Sequence, residues 1–78
     1  MQDKNQPFQL DEEFVAMLTE AQQRLYGFIL KRLVDHNQSN EVLQLTNIVL
    51  CRKANDFKKG TNFMAWALTV ANFQILSF

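Results

Sequence analysis

The side chains that could do chemical work here are suited to recognition rather than to making bonds. Glu41, Gln44 and Asn47 recur at every third position and Cys51 continues the row, so on a helix they lie along one side. A carboxylate beside two amides can pair with cationic groups on a partner, while the neighbouring Leu45 and Ile48 supply apolar area. The same spacing also suits ordinary solvated residues on a core helix. Farther on, Arg52, Lys53, Lys58 and Lys59 gather around Gly60, a cation cluster suited to a polyanion or simply to a solvated turn. Thr61 and Asn62 follow with short hydrogen-bonding groups, and Phe63 and Trp66 with aromatic rings.

Bond-making chemistry finds no footing. Cys51 is the only cysteine and His36 the only histidine, so neither a disulfide nor a Cys/His zinc site is expected. No Ser/His/Asp arrangement, phosphate-cradling glycine loop or metal-ligand pair is present. The chain is read as a non-enzyme with no catalytic residue, cofactor or metal. His36, set in a polar segment, reads as a surface residue, and Cys51 as a small packing or interface residue.

These groups must be carried by helices. Asp11 can accept from the first turn of a helix whose Glu12 and Glu13 complement its positive end. Phe14, Leu18, Ala21, Leu25, Phe28, Ile29 and Leu33 then form one apolar stripe, with Lys31 and Arg32 in the last turns. Residues 35–40 are dense in turn formers and read as a short connector, with Ser39 capping a second helix from about Asn40 to Asn55. That helix is apolar on more than one side (Val42, Leu43, Leu45, Ile48, Val49, Leu50, Cys51, Ala54), so part of it should stay exposed in a three-helix protein. Gly60 is the natural site of a positive φ. Thr61 or Asn62 then caps a third helix with the stripe Phe63, Trp66, Ala67, Val70, Phe73 and Leu76. The expected fold is all-α, a small three-helix domain over residues 11–78 after a flexible polar lead-in at 1–10. The third helical pattern is still running at Phe78, as in a fragment of a longer chain.

Composition bounds the rest. The chain has 78 residues and is 47% hydrophobic, with seven Phe, two Gly and one Pro, which argues against a turn-rich β fold. A chain this short buries only roughly 60–65% of its unfolded surface, so its margin of stability is thin. No apolar run approaches a membrane span, no export signal opens the sequence, and a lone thiol suits the reducing cytoplasm. The net charge is zero but uneven: four basic residues face seven acidic ones up to Leu45, and four face Asp56 alone from Thr46 onward. Such asymmetry suits two different partner surfaces, and also arises by chance in a short chain.

Residues 41–71 resemble region 2 of extracytoplasmic-function RNA polymerase sigma factors, with wording most similar to a subgroup from planctomycete-type bacteria. Glu41-Val42-Leu43-Gln44 with Thr46-Asn47-Ile48-Val49-Leu50 is similar to the family's clamp-docking helix. Arg52-Lys53 through Phe57 resembles that helix's basic exit onto an aromatic. Gly60-Thr61-Asn62-Phe63-Met64-Ala65-Trp66-Ala67 resembles the loop and helix start that meet melted promoter DNA, and Gln23 through Ile29 the family's first helix.

The resemblance implies a bacterial transcription initiation factor that binds the clamp helices of the RNA polymerase core and recognises and melts the promoter minus-ten element. It implies a polymerase-binding set of Glu41, Gln44, Leu45, Asn47, Ile48 and Cys51. The implied DNA-binding set is Arg52, Lys53, Lys58, Lys59, Thr61, Asn62, Trp66 and Asn72. Cations would meet phosphates, and the loop from Lys58 to Phe63 would hold an unstacked base within walls shaped by Phe63 and Trp66.

The sequence departs from the family pattern in places that matter. Leu45 stands where the family usually has Glu after the Gln, and Cys51 where it often has Trp. The third helix carries Thr69, Asn72, Gln74 and Ser77 in place of the family's arginines, and no charged residue lies between Gly60 and Phe78. DNA binding by this chain alone is therefore expected to be weak. The departures leave two rivals. One is a degenerate sigma-like helical module that binds an anti-sigma factor or itself, with little DNA binding. The other is an unrelated small helical dimer.

Overall fold

A computed structural model describes residues 10–78. Positions 1–9, most of the expected lead-in, lie outside the described residues; Leu10 is half-buried and packs against the core. Three α-helices follow: α1 Glu12–Leu33, α2 His36–Arg52 and α3 Phe63–Ser77. A one-turn 3₁₀ helix, Ala54–Asp56, leads from α2 into the loop before α3.

Each helix begins on the same capping device, a side-chain oxygen that accepts from the N–H three residues on. Asp11 takes Phe14 at 2.7 Å, Asp35 takes Gln38 at 2.8 Å, and Asn62 takes Ala65 at 3.0 Å. Asp11 and Asn62 act as the sequence implies. The α1–α2 junction differs from expectation. The connector is only Val34 and Asp35, α2 opens at His36 rather than near Asn40, and Asp35, not Ser39, is its cap. The polar run 36–40 is polar because most of it is the exposed first turn of α2. At the other end α2 closes at Arg52, where Lys53 donates its N–H to the Val49 carbonyl at 2.9 Å.

Val34 makes the short junction possible by adopting the left-handed conformation, φ 56° and ψ 28°, and donating its N–H to the Leu30 carbonyl at 2.8 Å. A β-branched residue is strained there by about 1–2 kcal/mol. Its side chain is 81% exposed and so gains little from packing. Val34→Asn, which tolerates this backbone, is expected to raise the unfolding free energy by about 1 kcal/mol in a urea titration.

The core is assembled from all three helices. Phe14, Ala21, Leu25 and Ile29 come from α1, Val42 and Leu50 from α2, and Phe63, Ala67 and Ala71 from α3. On α2 the buried line is Ser39, Val42, Thr46 and Leu50. Thr46 satisfies its hydroxyl by donating to the Val42 carbonyl at 2.8 Å. The buried Ser39 hydroxyl has no hydrogen-bond partner among the described residues. A buried, unmatched hydroxyl costs about 1–3 kcal/mol, and Ala is the better helix former. Ser39→Ala should therefore stabilise the domain by about 1 kcal/mol, seen as a higher thermal midpoint.

On α3 the buried line steps by four through Phe63, Ala67 and Ala71, while Phe73 is 68% and Leu76 76% exposed. The expected stripe was right at Phe63 and Ala67, half right at Trp66 and Val70, which are partly buried, and wrong at Phe73 and Leu76. The helix is apolar nearly all round, so hydrophobic spacing cannot select its inner face. Packing selected the alanines, whose small side chains let helices approach closely.

Between α2 and α3 the chain is held by aromatic edges and a turn. Phe14, Phe57, Phe63 and Trp66 form one cluster, with ring centroids 5.2–6.1 Å apart. Thr61 donates its N–H to the Lys58 carbonyl at 3.2 Å, and Gly60 has φ 89°. Lys59 is not in the positive-φ region, so Lys58–Thr61 is a turn of type II, which requires Gly or Asn at its third position.

Candidate functional site

On α2, the side opposite the buried line Val42–Thr46–Leu50 carries Glu41, Gln44, Ile48, Cys51 and Arg52, with Leu45 at its edge. Leu45 is 41% and Ile48 47% exposed, although both are aliphatic and central on a well-formed helix. Asn47, Ile48, Cys51 and Arg52 line a shallow depression there. Glu41 and Gln44 are exposed, and Cys51 is half-buried.

Asn47 is engaged differently from its neighbours in the row. It lies at the α1 border, and its amide makes a reciprocal pair with Gln22 of α1. Gln22 Nε2 donates to Asn47 Oδ1 at 2.9 Å, and Asn47 Nδ2 donates to Gln22 Oε1 at 2.7 Å. Two neutral, geometrically matched hydrogen bonds fix the register of α1 against α2. Gln22 has no role that the sequence alone suggests. With Gln23 beside it, nothing in the sequence singled Gln22 out.

The cations of the expected DNA-binding set sit at one end of the bundle. Arg52 and Lys53 close α2, and Lys58 and Lys59 lie in the turn. Arg52, Lys53 and Lys58 are exposed and make no ion pair among the described residues. Lys59 Nζ lies 3.4 Å from Asp11 and 3.4 Å from Glu13, so the turn is tied to the start of α1. The Phe14 N–H, and then Lys59, hold the Asp11 carboxyl below its ordinary range. Glu13, and then Asp11, push the Lys59 ammonium up.

The signs of these shifts define a window. A depressed carboxyl contributes stability above its unfolded pKa and loses it as pH falls through the folded value. A raised ammonium contributes below its unfolded pKa and loses it as pH rises through the folded value. The tie is thus closed across neutral pH. The Gly60 amide resonance is expected to move at both extremes and to hold steady between them.

Other groups in the loop are already committed. The Thr61 hydroxyl donates to the Lys58 carbonyl at 2.6 Å, and the Asn62 side-chain oxygen caps α3. Trp66 is half-buried in the aromatic cluster, its ring tilted 33° to Phe57 at 5.2 Å. Lys58, Lys59, Thr61 and Asn62 are thus brought together, with Trp66 one turn into α3. Asn72 is exposed but lies about 14 Å along the helix axis from Phe63, away from the loop. His36 is exposed, as expected, but it is helical and tied to α1, with Nδ1 sharing a 2.6 Å hydrogen bond with the Tyr26 hydroxyl and the two rings stacked.

Among the described residues, no group of three or more His, Cys, Asp or Glu side chains could hold a metal ion. No helix among them is long and apolar enough to cross a membrane.

An exposed apolar helix face beside a cation-rich loop is an arrangement for binding macromolecules. Neither a curated protein nor a solved structure matches the chain. Residues 17–78, spanning most of α1 and all that follows, match the family described as Sigma-70 region 2. That family is helical, as this chain is, and it serves transcription initiation rather than catalysis. The chain therefore belongs to the Sigma-70 region 2 family, whose members work with the RNA polymerase core and promoter DNA.

Proposed function

We propose that the outward face of α2 docks on the clamp helices of the RNA polymerase core, and that the loop from Lys58 to Phe63 then meets the promoter minus-ten element. The observation that carries this reading is the exposure of Leu45 and Ile48 on the face that also carries Glu41 and Gln44, on a helix of this family. Exposed aliphatic groups on a rigid helix bury area at little cost in ordering, and the flanking amide and carboxylate give direction. Leu45, where the family usually has a glutamate, shifts the contact from ion pairing toward apolar burial. Asn47 supports this face through Gln22 as well as standing beside it.

At the promoter, Arg52, Lys53 and Lys58 meet phosphates, and Lys59 does so by exchanging its carboxylates for one. Asn62 and Thr61 border the place where an extruded base sits, and Phe63 and Trp66 hold its walls in position. The chemistry is recognition without bond making, and it stabilises the opened strand. The domain acts in the cytoplasm, in a sigma factor of the extracytoplasmic-function type resembling those of planctomycete-type bacteria.

The test is a pull-down of the full 78-residue chain on immobilised clamp helices, wild type against Gln44→Ala with Leu45→Ala. Retention of the wild type and loss of the variant supports the reading. A folded wild type that is not retained excludes it. On DNA alone the expected affinity is weak, no tighter than the roughly 10⁻⁴–10⁻⁶ M of non-specific binding. Tight binding in an anisotropy titration would contradict that expectation.

One observation favours a second reading, a sigma-like module that binds an anti-sigma factor or itself. From Gly60 to Phe78 there is no charged side chain, and Phe73 and Leu76 stand exposed on α3. On that reading the clamp helices do not retain the chain, and the α3 residues govern its associations.

A further inference from the structure

The side-chain amide of Gln22 does more than pair with a neighbour. Gln22 Nε2 donates to the Leu18 carbonyl at 3.0 Å, one turn back on α1, and to Asn47 Oδ1 at 2.9 Å on α2. A primary amide has two N–H donors, so the Gln22 nitrogen is fully spent. The Leu18 carbonyl can only accept, so the amide nitrogen, and not the amide oxygen, must face it. The backbone of α1 thus decides which way the Gln22 amide stands. The reciprocal bond, from Asn47 Nδ2 to Gln22 Oε1 at 2.7 Å, passes that choice to Asn47. A flipped Asn47 would set N–H against N–H and oxygen against oxygen.

What Asn47 keeps is as definite as what it gives up. One of its two side-chain N–H groups and one lone pair of its oxygen stay unspent in the pair. Asn47 borders the depression that Ile48, Cys51 and Arg52 also line, on the outward side of α2. It is half-buried, so a partner seated in that depression reaches its amide. An unsupported asparagine would have to be ordered at the moment of docking. Ordering one such side chain weakens binding by about two- to tenfold. Gln22 orders it beforehand, whereas Glu41 and Gln44 on the same face are exposed.

We propose that Gln22 is a positioning residue for polymerase docking, holding Asn47 from behind in the one orientation that offers a set donor and a set acceptor to the partner. The inference rests on the clamp-docking reading and deepens it, by adding a residue of α1 that does not itself touch the polymerase. The partner group that this arrangement selects is an oxygen acceptor placed opposite Asn47 Nδ2. The packing of α1 on α2 thereby becomes part of the docking geometry.

The experiment is a double-mutant cycle on the full chain, read by surface-plasmon binding to immobilised clamp helices. The variants are Gln22→Met, Asn47→Ala and the two combined. Met is unbranched and a good helix former, so the helical spectrum should hold. In the wild-type background Gln22→Met is expected to weaken binding by about two- to tenfold. In the Asn47→Ala background the same substitution should leave the affinity unchanged, because the group it positions is gone. Equal weakening in both backgrounds would show a purely structural role or a direct contact, and would overturn the proposal while leaving clamp docking intact. No weakening in either background would overturn it as well. A folded wild type that does not bind would overturn clamp docking, and this inference with it. The wild-type chain supplies a second reading that does not depend on the folding of any variant. On titration with the clamp helices, the Asn47 side-chain amide protons should shift while the cross-relaxation between the Gln22 and Asn47 amides persists. Loss of that cross-relaxation on binding would mean that Asn47 leaves Gln22 for the partner, and would overturn the positioning role.

Discussion

Leu50→Ala is expected to lose about 2–5 kcal/mol of folding free energy, enough to leave much of the population unfolded at 37 °C. A domain of this length holds roughly 4–12 kcal/mol in total, at about 0.05–0.15 kcal/mol per residue. Leu50 is fully buried on the inner line of α2, and α2 packs on both α1 and α3. Truncation removes transfer free energy and leaves a void in the core. Urea unfolding followed by far-ultraviolet dichroism should show a lower midpoint with a similar slope. A midpoint unchanged from wild type would mean that Leu50 is not part of the core.

Ile48→Asp, only two positions away, should do the opposite. Its side chain points outward and is 47% exposed, so the folding free energy is expected to change by only about 0.5 kcal/mol, the order of the helix-propensity difference. On the clamp helices, however, a carboxylate placed where an aliphatic group should be buried is desolvated without a partner. A penalty of about 3 kcal/mol weakens binding roughly a hundredfold. Surface-plasmon binding to immobilised clamp helices, with the dichroism spectrum as control, separates the two effects. Retained affinity would move the docking face elsewhere on the domain. The contrast between Leu50 and Ile48 expresses how α2 divides its apolar residues between the fold and a partner.

How much of this was legible depended on whether the signal was local. The Asp11 and Asn62 caps and the α1 stripe from Phe14 to Ile29 were readable because each rests on neighbours within one or two turns. The excess apolar character of α2 was readable for the same reason; it implied that part of the helix stays exposed, without saying which part, and that part includes Leu45 and Ile48. The α1–α2 junction was not readable. Asp35 and Ser39 offer the same capping chemistry, and Val34 is among the last residues expected at positive φ. The pairings that define the site are non-local. Asn47 meets Gln22 across 25 positions, and Lys59 closes on Asp11 and Glu13 from the far side of the chain. No periodicity encodes such contacts, so Lys59 read as one more loop cation and Asn47 as one more exposed amide.

The uncharged length of α3 also governs how the molecule behaves as a solute. Copies that meet on this helix feel no side-chain charge repulsion from it, because no side chain from Gly60 to Phe78 is ionised, and the sequence pI of about 6.5 removes most long-range repulsion near that pH. Added sodium chloride has little to screen there. Sulfate, excluded from apolar surface such as Phe73 and Leu76, drives those surfaces together. For contacts made through this helix, the choice of anion therefore matters more than ionic strength.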